Sequence, residues 1–171
     1  MAKPLSKKFF CRPAPIVAPE LLGCYLVRRW GGNKVEKLLI TETEAYDGQE
    51  DLANHASRGR SVRTEVMFNS GGVFYVYLIY GMYYMLNVVV DEVDRPAAVL
   101  IRGTDRVSGP GRLGRYLNIN KDLNGQLAEV ASGIWFEKSF VSQQKKIKTL
   151  PRVGVEYAGV WASKPYRYLL E

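Results

Sequence analysis

The sequence feature that most constrains the fold is an aromatic stretch at residues 73–90, VFYVYLIYGMYYMLNVVV. Six of the eleven residues from Phe74 to Tyr84 are aromatic, and aromatic and β-branched side chains favour strands. Between the two apolar runs lies the dipeptide Tyr80-Gly81, and glycine supplies the conformational freedom that a tight turn needs. The stretch therefore predicts a β-hairpin with Tyr80 in its turn.

The side chains of this hairpin allow two interpretations. Side chains alternate along a strand, so Tyr75 and Tyr77 share one face of its first strand. Such a face is typical of core packing, but tyrosines on one face also form stacking platforms for nucleobases. A turn that carries Tyr80, Met82 and Tyr83 also has the composition of a wedge between base steps of a duplex.

Residues 38–56, LLITETEAYDGQEDLANHA, form an acidic segment with five acidic residues, the only histidine of the chain and no Lys or Arg. If the segment begins as a strand, one face carries Leu38, Ile40, Glu42, Glu44 and Tyr46. A carboxylate that points inward is costly unless it is paired or used. Glu42 or Glu44 is therefore paired with a basic residue or held for chemistry, and a solvated strand end is the remaining interpretation.

The second half of the acidic segment holds His55. Asp47-Gly48 is a turn signal, and residues 49–56 then predict one or two helical turns that place Asp51 and His55 on one face. A lone histidine is ordinarily a satisfied structural residue. Its closeness in sequence to Glu44 and Tyr46 favours a functional role as the alternative.

The charge balance indicates an anionic partner such as nucleic acid. The chain has 24 Lys and Arg residues against 17 Asp and Glu residues, a net charge of +7. Arg58, Arg60 and Arg63 lie in one short segment, where they contact phosphates or form an ordinary solvated loop. Cys11 and Cys24 are too few for a disulfide framework, so reduced thiols are expected.

A chain of 171 residues is expected to form one domain over 1–171, with residues 1–15 as a Pro-rich basic arm. No transmembrane helix or secretory signal is expected, because no apolar run is long enough. The remaining elements predicted are helices at 16–22 and 113–117, strands at 24–30, 35–46, 96–102 and 153–158, a strand-rich region at 127–136, and a basic run at Lys145, Lys146 and Lys148.

Several of these segments together carry a family resemblance. The sequences are ITETEAYDGQEDLANHA, RTEVMF, GGVFYVYLIYGMYYMLNVV, AVLIRG, GPGRLGRYLNI and PRVGVEYAG, and they span most of the chain from Phe9 to Leu169. The chain resembles the alkyladenine (3-methyladenine) DNA glycosylase family. It departs from the family pattern between Arg102 and Gly109, where the connection is shorter, and at Gly103, where alanine is usual.

The resemblance implies an α+β fold: a single compact domain with a curved antiparallel β-sheet, surrounding helices and a β-hairpin that protrudes into the minor groove of DNA. It also implies a monofunctional DNA-3-methyladenine glycosylase of base excision repair, which flips damaged purines out of double-stranded DNA and leaves abasic sites. Such an enzyme is expected to need no metal or cofactor, to act as a monomer without a membrane, and to work in a nucleus or a bacterial cytoplasm.

Roles for individual residues follow from the same resemblance. Glu44, rather than Glu42, is expected to be the general base that activates water, because it precedes Ala45-Tyr46, and Arg102 is expected to pair with it. The backbone near Val153 is expected to complete the water site. The other expected positions are the base-pocket residues Tyr46, His55, Tyr75, Tyr77 and Asn87, and the DNA-contacting residues Tyr80, Met82, Tyr83, Arg58, Arg60 and Arg63.

Within the pocket, the resemblance places Tyr46 and Tyr77 against the flipped base and His55 on its other side, with Tyr75 orienting the imidazole. Aromatic faces attract cationic alkylated purines by roughly 0.5–2 kcal/mol. Asn87 is expected to crowd the exocyclic amine of normal guanine.

Two other functions remain open from the residues alone. Glu44, Asp51 and His55 have the side chains of a divalent-metal site, as in a metal-dependent nuclease. The tyrosines could instead belong to a non-catalytic module that binds single-stranded nucleic acid, although a carboxylate within a base-binding face would repel phosphate.

Overall fold

The framework of the protein is a set of antiparallel β-strands that curl around one main core. A computed structural model describes residues 3–32, 34–139 and 146–171. The strands of that part of the chain are β1 Tyr25–Arg29, β2 Val35–Asp47, β3 Phe74–Ile79, β4 Tyr83–Val89, β5 Ala97–Thr104, β6 Ile134–Glu137, β7 Ile147–Leu150 and β8 Arg167–Leu170. The α-helices are α1 Lys7–Phe10, α2 Ala14–Leu21 and α3 Pro110–Tyr116. Short 3-10 helices cover His55–Arg58, Glu65–Phe68, Lys121–Leu123, Val130–Ser132 and Glu156–Trp161.

The strands follow the order β3-β4-β5-β2-β1-β6, with β8 paired to β2 and β7 paired to β8. Every pairing is antiparallel. The long strand β2 pairs with β1 through its first half and with β5 and β8 through its second half. A curled antiparallel sheet with a few helices confirms the predicted α+β class. Among the described residues no helix is both long and apolar enough to cross a bilayer.

The two faces of the sheet have different roles. Phe74, Leu86 and Val99 face the main core, where helices α2 and α3 also pack. Their neighbours in the chain, among them Tyr75 and Ala98, face the opposite side and join a smaller apolar cluster. The alternation expected of strands therefore holds in the hairpin and in β5.

Strand β2 changes faces partway along its length. Ile40 is opposite Thr104 and Glu42 is opposite Gly103, so Thr41 has no partner in β5. On β5, Arg102 likewise has no partner in β2, because Gly103 is opposite Glu42 and Ile101 is opposite Thr43. Such irregularities reverse the faces that follow them. Leu38 and Ile40 lie in the main core, whereas the later residues Glu42, Glu44 and Tyr46 face away from it. The prediction that all five side chains share one face of the strand was therefore wrong.

Several predicted local structures differ from the observed ones. Residues 3–15 do not form a separate arm: helix α1 places Phe10 in the main core, and Leu5 packs against it. Residues 49–54 are bends and turns rather than a helix, so Asp51 and His55 do not share a helical face. The predicted strand at 153–158 is a loop that leads into a 3-10 helix, and within 127–136 the strand begins only at Ile134. Lys145 lies outside the described residues.

Helix α3 packs directly on the hairpin strand β4. A Cβ atom placed on Gly114 would lie 2.0 Å from the carbonyl oxygen of Tyr84, so only glycine permits this approach. Gly111 makes a similar contact one turn earlier, where a Cβ would meet the ring of Tyr83 at 2.9 Å. The two glycines thereby let α3 pack against the hairpin close to its turn.

Candidate functional site

A pocket of about 420 Å³ opens on the sheet face opposite the main core. All seven residues predicted to be catalytic or to form the pocket line it: Glu44, Tyr46, His55, Tyr75, Tyr77, Asn87 and Arg102. They come from strands β2, β3, β4 and β5 and from the 3-10 helix that begins at His55. The sheet therefore brings together residues that are separated by up to 58 positions, from 44 to 102, in the chain.

Glu44 is fully buried at one end of this pocket, and hydrogen-bond donors hold both of its oxygens. Its Oε1 accepts from the backbone N–H of Val153 at 2.9 Å and lies 3.3 Å from the guanidinium of Arg102. Its Oε2 accepts from the hydroxyl of Tyr46 at 2.9 Å. A carboxylate offers about four acceptor positions, and the hydroxyl of Tyr46 takes only one of the two on Oε2.

The protonation state of Glu44 is set by opposing effects. Burial raises the pKa of the carboxyl, because a low-dielectric surrounding disfavours the charged form. The charge of Arg102 and the hydrogen bonds from Val153 and Tyr46 act in the other direction. Burial also raises the pKa of the Tyr46 hydroxyl, with the negative charge of Glu44 as the next cause, so Tyr46 remains a donor.

Glu42 has a different environment from Glu44, although both project to the same side of β2. Its Oε1 accepts from Arg102 at 3.0 Å and from Arg167 at 3.1 Å, and Glu42 does not line the pocket. The local sequence left the two carboxylates equivalent. In the structure the two carboxylates differ. Glu42 is paired with Arg102 and Arg167 outside the pocket lining, whereas Glu44 lines the pocket.

The aromatic side of the pocket is organised around His55. Its Nδ1 is hydrogen-bonded to the hydroxyl of Tyr75 at 2.9 Å, and the ring of Tyr77 meets it edge-on with centroids 4.6 Å apart. Burial, helped by the positive charge of Arg63, lowers the pKa of His55 to about 4. The imidazole is therefore neutral at physiological pH, with its orientation fixed by Tyr75.

Asn87 is buried in β4 and contributes to the wall of the pocket. Its amide nitrogen donates to the backbone carbonyl of Tyr75 at 3.2 Å. The carbonyl of Tyr75 is therefore the hydrogen-bond partner that a buried polar side chain in an apolar strand requires. It ties the side chain to β3 and fixes it beside the aromatic residues.

The tip of the β3–β4 hairpin stands at the edge of the pocket. Tyr80 and Gly81 both adopt positive φ angles, +52° and +65°, and with Met82 they form a three-residue connection between the paired residues Ile79 and Tyr83. The Tyr80 side chain is 84% exposed and Met82 is also exposed, whereas Tyr83 is half-buried beneath the guanidinium of Arg115. The tip thus offers a large aromatic side chain to a partner.

The three arginines expected to contact DNA lie in different environments. Arg58 is exposed at the end of its 3-10 helix. Arg60 forms ion pairs with Glu65 and Asp94 and lies over the ring of Phe68, so its charge is already compensated. Arg63 lines the pocket, with its guanidinium carbon 5.3 Å from the ring centroid of Tyr77.

A buried ion pair next to the pocket was not predicted from the sequence. Arg152 and Asp51 are both fully buried and form a two-bond contact, with Nη2 to Oδ1 at 2.8 Å. They are 101 positions apart, and neither belongs to a periodic pattern that would have indicated the pairing. Arg152 also packs over the ring of Tyr46 at 4.9 Å.

The pairing of Asp51 also bears on the predicted nuclease site. Asp51 turns to Arg152 and to the backbone N–H groups of Asp47 and Ala53, so it does not join Glu44 and His55. Throughout 3–32, 34–139 and 146–171, no three His, Cys, Asp or Glu side chains converge as a metal site requires. The three residues proposed for a metal-dependent nuclease therefore do not form its ligand set.

Comparison with known proteins agrees with the family resemblance that the sequence motifs indicated. The family model described as methylpurine-DNA glycosylase (MPG) matches residues 8–108 and 103–171. The two matched stretches overlap at residues 103–108, in the connection for which the sequence predicted a departure from the family pattern. Three relatives bear names as candidate 3-methyladenine DNA glycosylases. That of Myxococcus xanthus is 42% identical over 95% of this chain and 88% of its own length. Those of Methanocella arvoryzae and Legionella pneumophila (strain Lens) are each 40% identical, over 96% and 98% of this chain and 90% and 94% of their own lengths.

Proposed function

The chain belongs to the methylpurine-DNA glycosylase family, and from this premise we propose that it is a monofunctional DNA glycosylase. It would hydrolyse the N-glycosidic bond of alkylated or deaminated purines in duplex DNA and leave an abasic site. The observation that carries the proposal is a fully buried carboxylate, Glu44, which lines a pocket together with five tyrosines and keeps an acceptor position on Oε2 that no described hydrogen bond takes.

The size and depth of the pocket support base flipping. A purine stacked within a duplex cannot reach a buried carboxylate, so the nucleotide has to leave the helix before hydrolysis. A pocket of about 420 Å³ has room for one purine, and five tyrosines are among the residues that line it. Tyr80 at the exposed hairpin tip would then fill the space that the flipped base leaves in the stack.

Glu44 is the general base in this mechanism. Its free acceptor position on Oε2 would take a proton from a water molecule, whose oxygen attacks C1′ of the sugar as the bond to the base breaks. The base leaves with the bonding electron pair. The negative charge of Glu44 also stabilises the positive charge that develops on the sugar, while Arg102 and the Val153 N–H orient the carboxylate.

Tyr46 has two parts in the mechanism. Its ring forms a wall of the pocket, and its hydroxyl donates to the same Glu44 oxygen that is to accept from water. The rings of Tyr46 and Tyr77 already lie near the guanidinium groups of Arg152 and Arg63. A cationic purine would therefore share these rings with cations of the protein, which reduces the attraction expected from the aromatic faces alone.

Tyr80→Ala is expected to weaken binding to duplexes that contain a damaged purine by roughly tenfold or more, because loss of an aromatic stacking partner costs about 1–3 kcal/mol. Fluorescence anisotropy with a hypoxanthine duplex measures the effect. Tyr80→Phe keeps the ring and is expected to bind as the wild type does. Equal affinities for the alanine variant and the wild type would remove the hairpin tip from the mechanism.

The proposed activity is tested by single-turnover base release with the enzyme in excess over duplex DNA. The substrates each contain one hypoxanthine, ethenoadenine or 7-methylguanine, and each reaction is run both with and without EDTA. Because no step uses a metal ion, the wild type is expected to produce alkali-labile abasic sites at the same rate with and without EDTA. A protein that binds these duplexes but releases no base from any of them would be a binding module instead.

A further inference from the structure

The buried Arg152–Asp51 ion pair contacts the surroundings of Glu44 from two sides. Arg152 donates to the backbone carbonyl of Ala45 at 2.8 Å, and Ala45 follows Glu44 in β2. The residue after Arg152 is Val153, whose N–H donates to Glu44 Oε1. The ion pair therefore connects the strand that carries the carboxylate with the loop that supplies one of its donors.

The remaining bonds of the pair fix its position. Arg152 also donates to the carbonyl of Trp161 at 3.1 Å, which ties the loop to the 3-10 helix behind it. Asp51 accepts from the backbone N–H groups of Asp47 and Ala53 at 3.1 and 3.0 Å. Both side chains are thus held by the backbone as well as by each other, a geometry that leaves little freedom of movement.

We propose that the Arg152–Asp51 pair positions the Val153 N–H on Glu44 and so keeps the general base ionised and correctly aimed. This inference rests on the proposed glycosylase function of the same pocket. Neither residue touches the substrate in this account, so both are positioning residues. They act on Glu44 only through the backbone of Val153 and of Ala45.

The electrostatics of Glu44 explain why such positioning matters for the reaction. A fully buried carboxylate has a raised pKa, and a protonated carboxyl cannot take a proton from water. The Val153 N–H is among the few groups that counteract this effect, together with Arg102 and Tyr46. If the loop shifts, this hydrogen bond lengthens, and the pKa of Glu44 rises further.

The test is the pH dependence of single-turnover base release from a hypoxanthine duplex by Arg152→Lys and Asp51→Asn. Arg152→Lys is expected to move the acidic limb of the profile to higher pH by about one unit, which means a roughly tenfold lower rate on the acidic side. Asp51→Asn is expected to move it less, because loss of the negative charge beside Arg152 opposes the effect of the shifted loop. The sign follows because the ionised form of Glu44 is active, so a higher pKa requires a higher pH for the same rate.

Val153→Pro is the second variant, because proline removes the backbone donor while the ion pair remains. It is expected to move the acidic limb in the same direction. If Val153→Pro moves the limb and Arg152→Lys does not, the ion pair does not position the donor, and the inference is wrong. The inference is also wrong if Arg152→Lys and Asp51→Asn lower the stability of the protein but leave the pH dependence of base release unchanged.

Glu137→Gln is the matched control for general loss of stability. Glu137 is a buried carboxylate in β6 that pairs with Lys37 and accepts from Trp135, and it does not line the pocket. This variant is expected to lower the unfolding temperature and leave the acidic limb in place. Absence of base release by the wild type on every lesion would refute the proposed function itself, an outcome distinct from unshifted variant profiles.

Discussion

Glu44→Gln is expected to slow single-turnover base release by roughly a thousandfold while leaving binding to damaged duplexes nearly unchanged. Loss of a general base typically costs 10²–10⁴ in rate, and glutamine also removes the negative charge that stabilises the sugar cation. The amide is isosteric, and its oxygen can still accept from the Val153 N–H. The rate is measured with enzyme in excess on a hypoxanthine duplex, and binding is measured by anisotropy.

Glu42→Gln is the matched control for this prediction. Glu42 lies on the same side of β2, but it is paired with Arg102 and Arg167 and does not line the pocket. Its substitution is expected to affect unfolding more than base release. If Glu42→Gln abolishes turnover and Glu44→Gln does not, the roles assigned to the two carboxylates are reversed.

Gly114→Ala is expected to destabilise the protein by about 3 kcal/mol, at the upper end of the usual cost of overpacking. The added methyl group would lie 2.0 Å from the carbonyl oxygen of Tyr84, and a backbone atom in a paired strand cannot move aside as a flexible side chain can. Helix α3 would have to retreat from the hairpin. Urea-induced unfolding followed by circular dichroism measures the loss.

Gly31→Ala is the control for this substitution. A Cβ atom at Gly31 would meet no atom within 4 Å, and Gly31 does not adopt a positive φ. This variant is expected to unfold at nearly the same urea concentration as the wild type. Equal midpoints for the two alanine variants would show that the approach of α3 to β4 is not as close as described.

The elements that the sequence predicted best are those whose signal is local. The hairpin followed from two apolar aromatic runs around Tyr80-Gly81, and its alternation correctly placed Tyr75 and Tyr77 on one face. A turn dipeptide and a two-residue period depend only on neighbouring residues, so they can be recognised in the chain itself. The family resemblance added residues such as His55 and Arg102, which the structure brings into one pocket.

The predictions that failed depended on partners distant in the chain. The helical turns expected at 49–56 do not form over 49–54, where Asp51 pairs with Arg152, and no propensity in that segment reports a partner 101 positions away. Tertiary contacts of this kind override weak local preferences. For the same reason, nothing in the basic segment distinguished Arg63, which lines the pocket, from Arg60, which is paired with two acids.

The sequence by itself determined strands β1 to β5, including the hairpin, and the residue types available for chemistry, because these follow from local composition and period. Only the tertiary structure decided which way the two carboxylates face. One unpaired residue in β2 and one in β5 turn Glu42, Glu44 and Tyr46 away from the core. A register shift of this kind arises from the fit between two strands, and neither strand carries it alone.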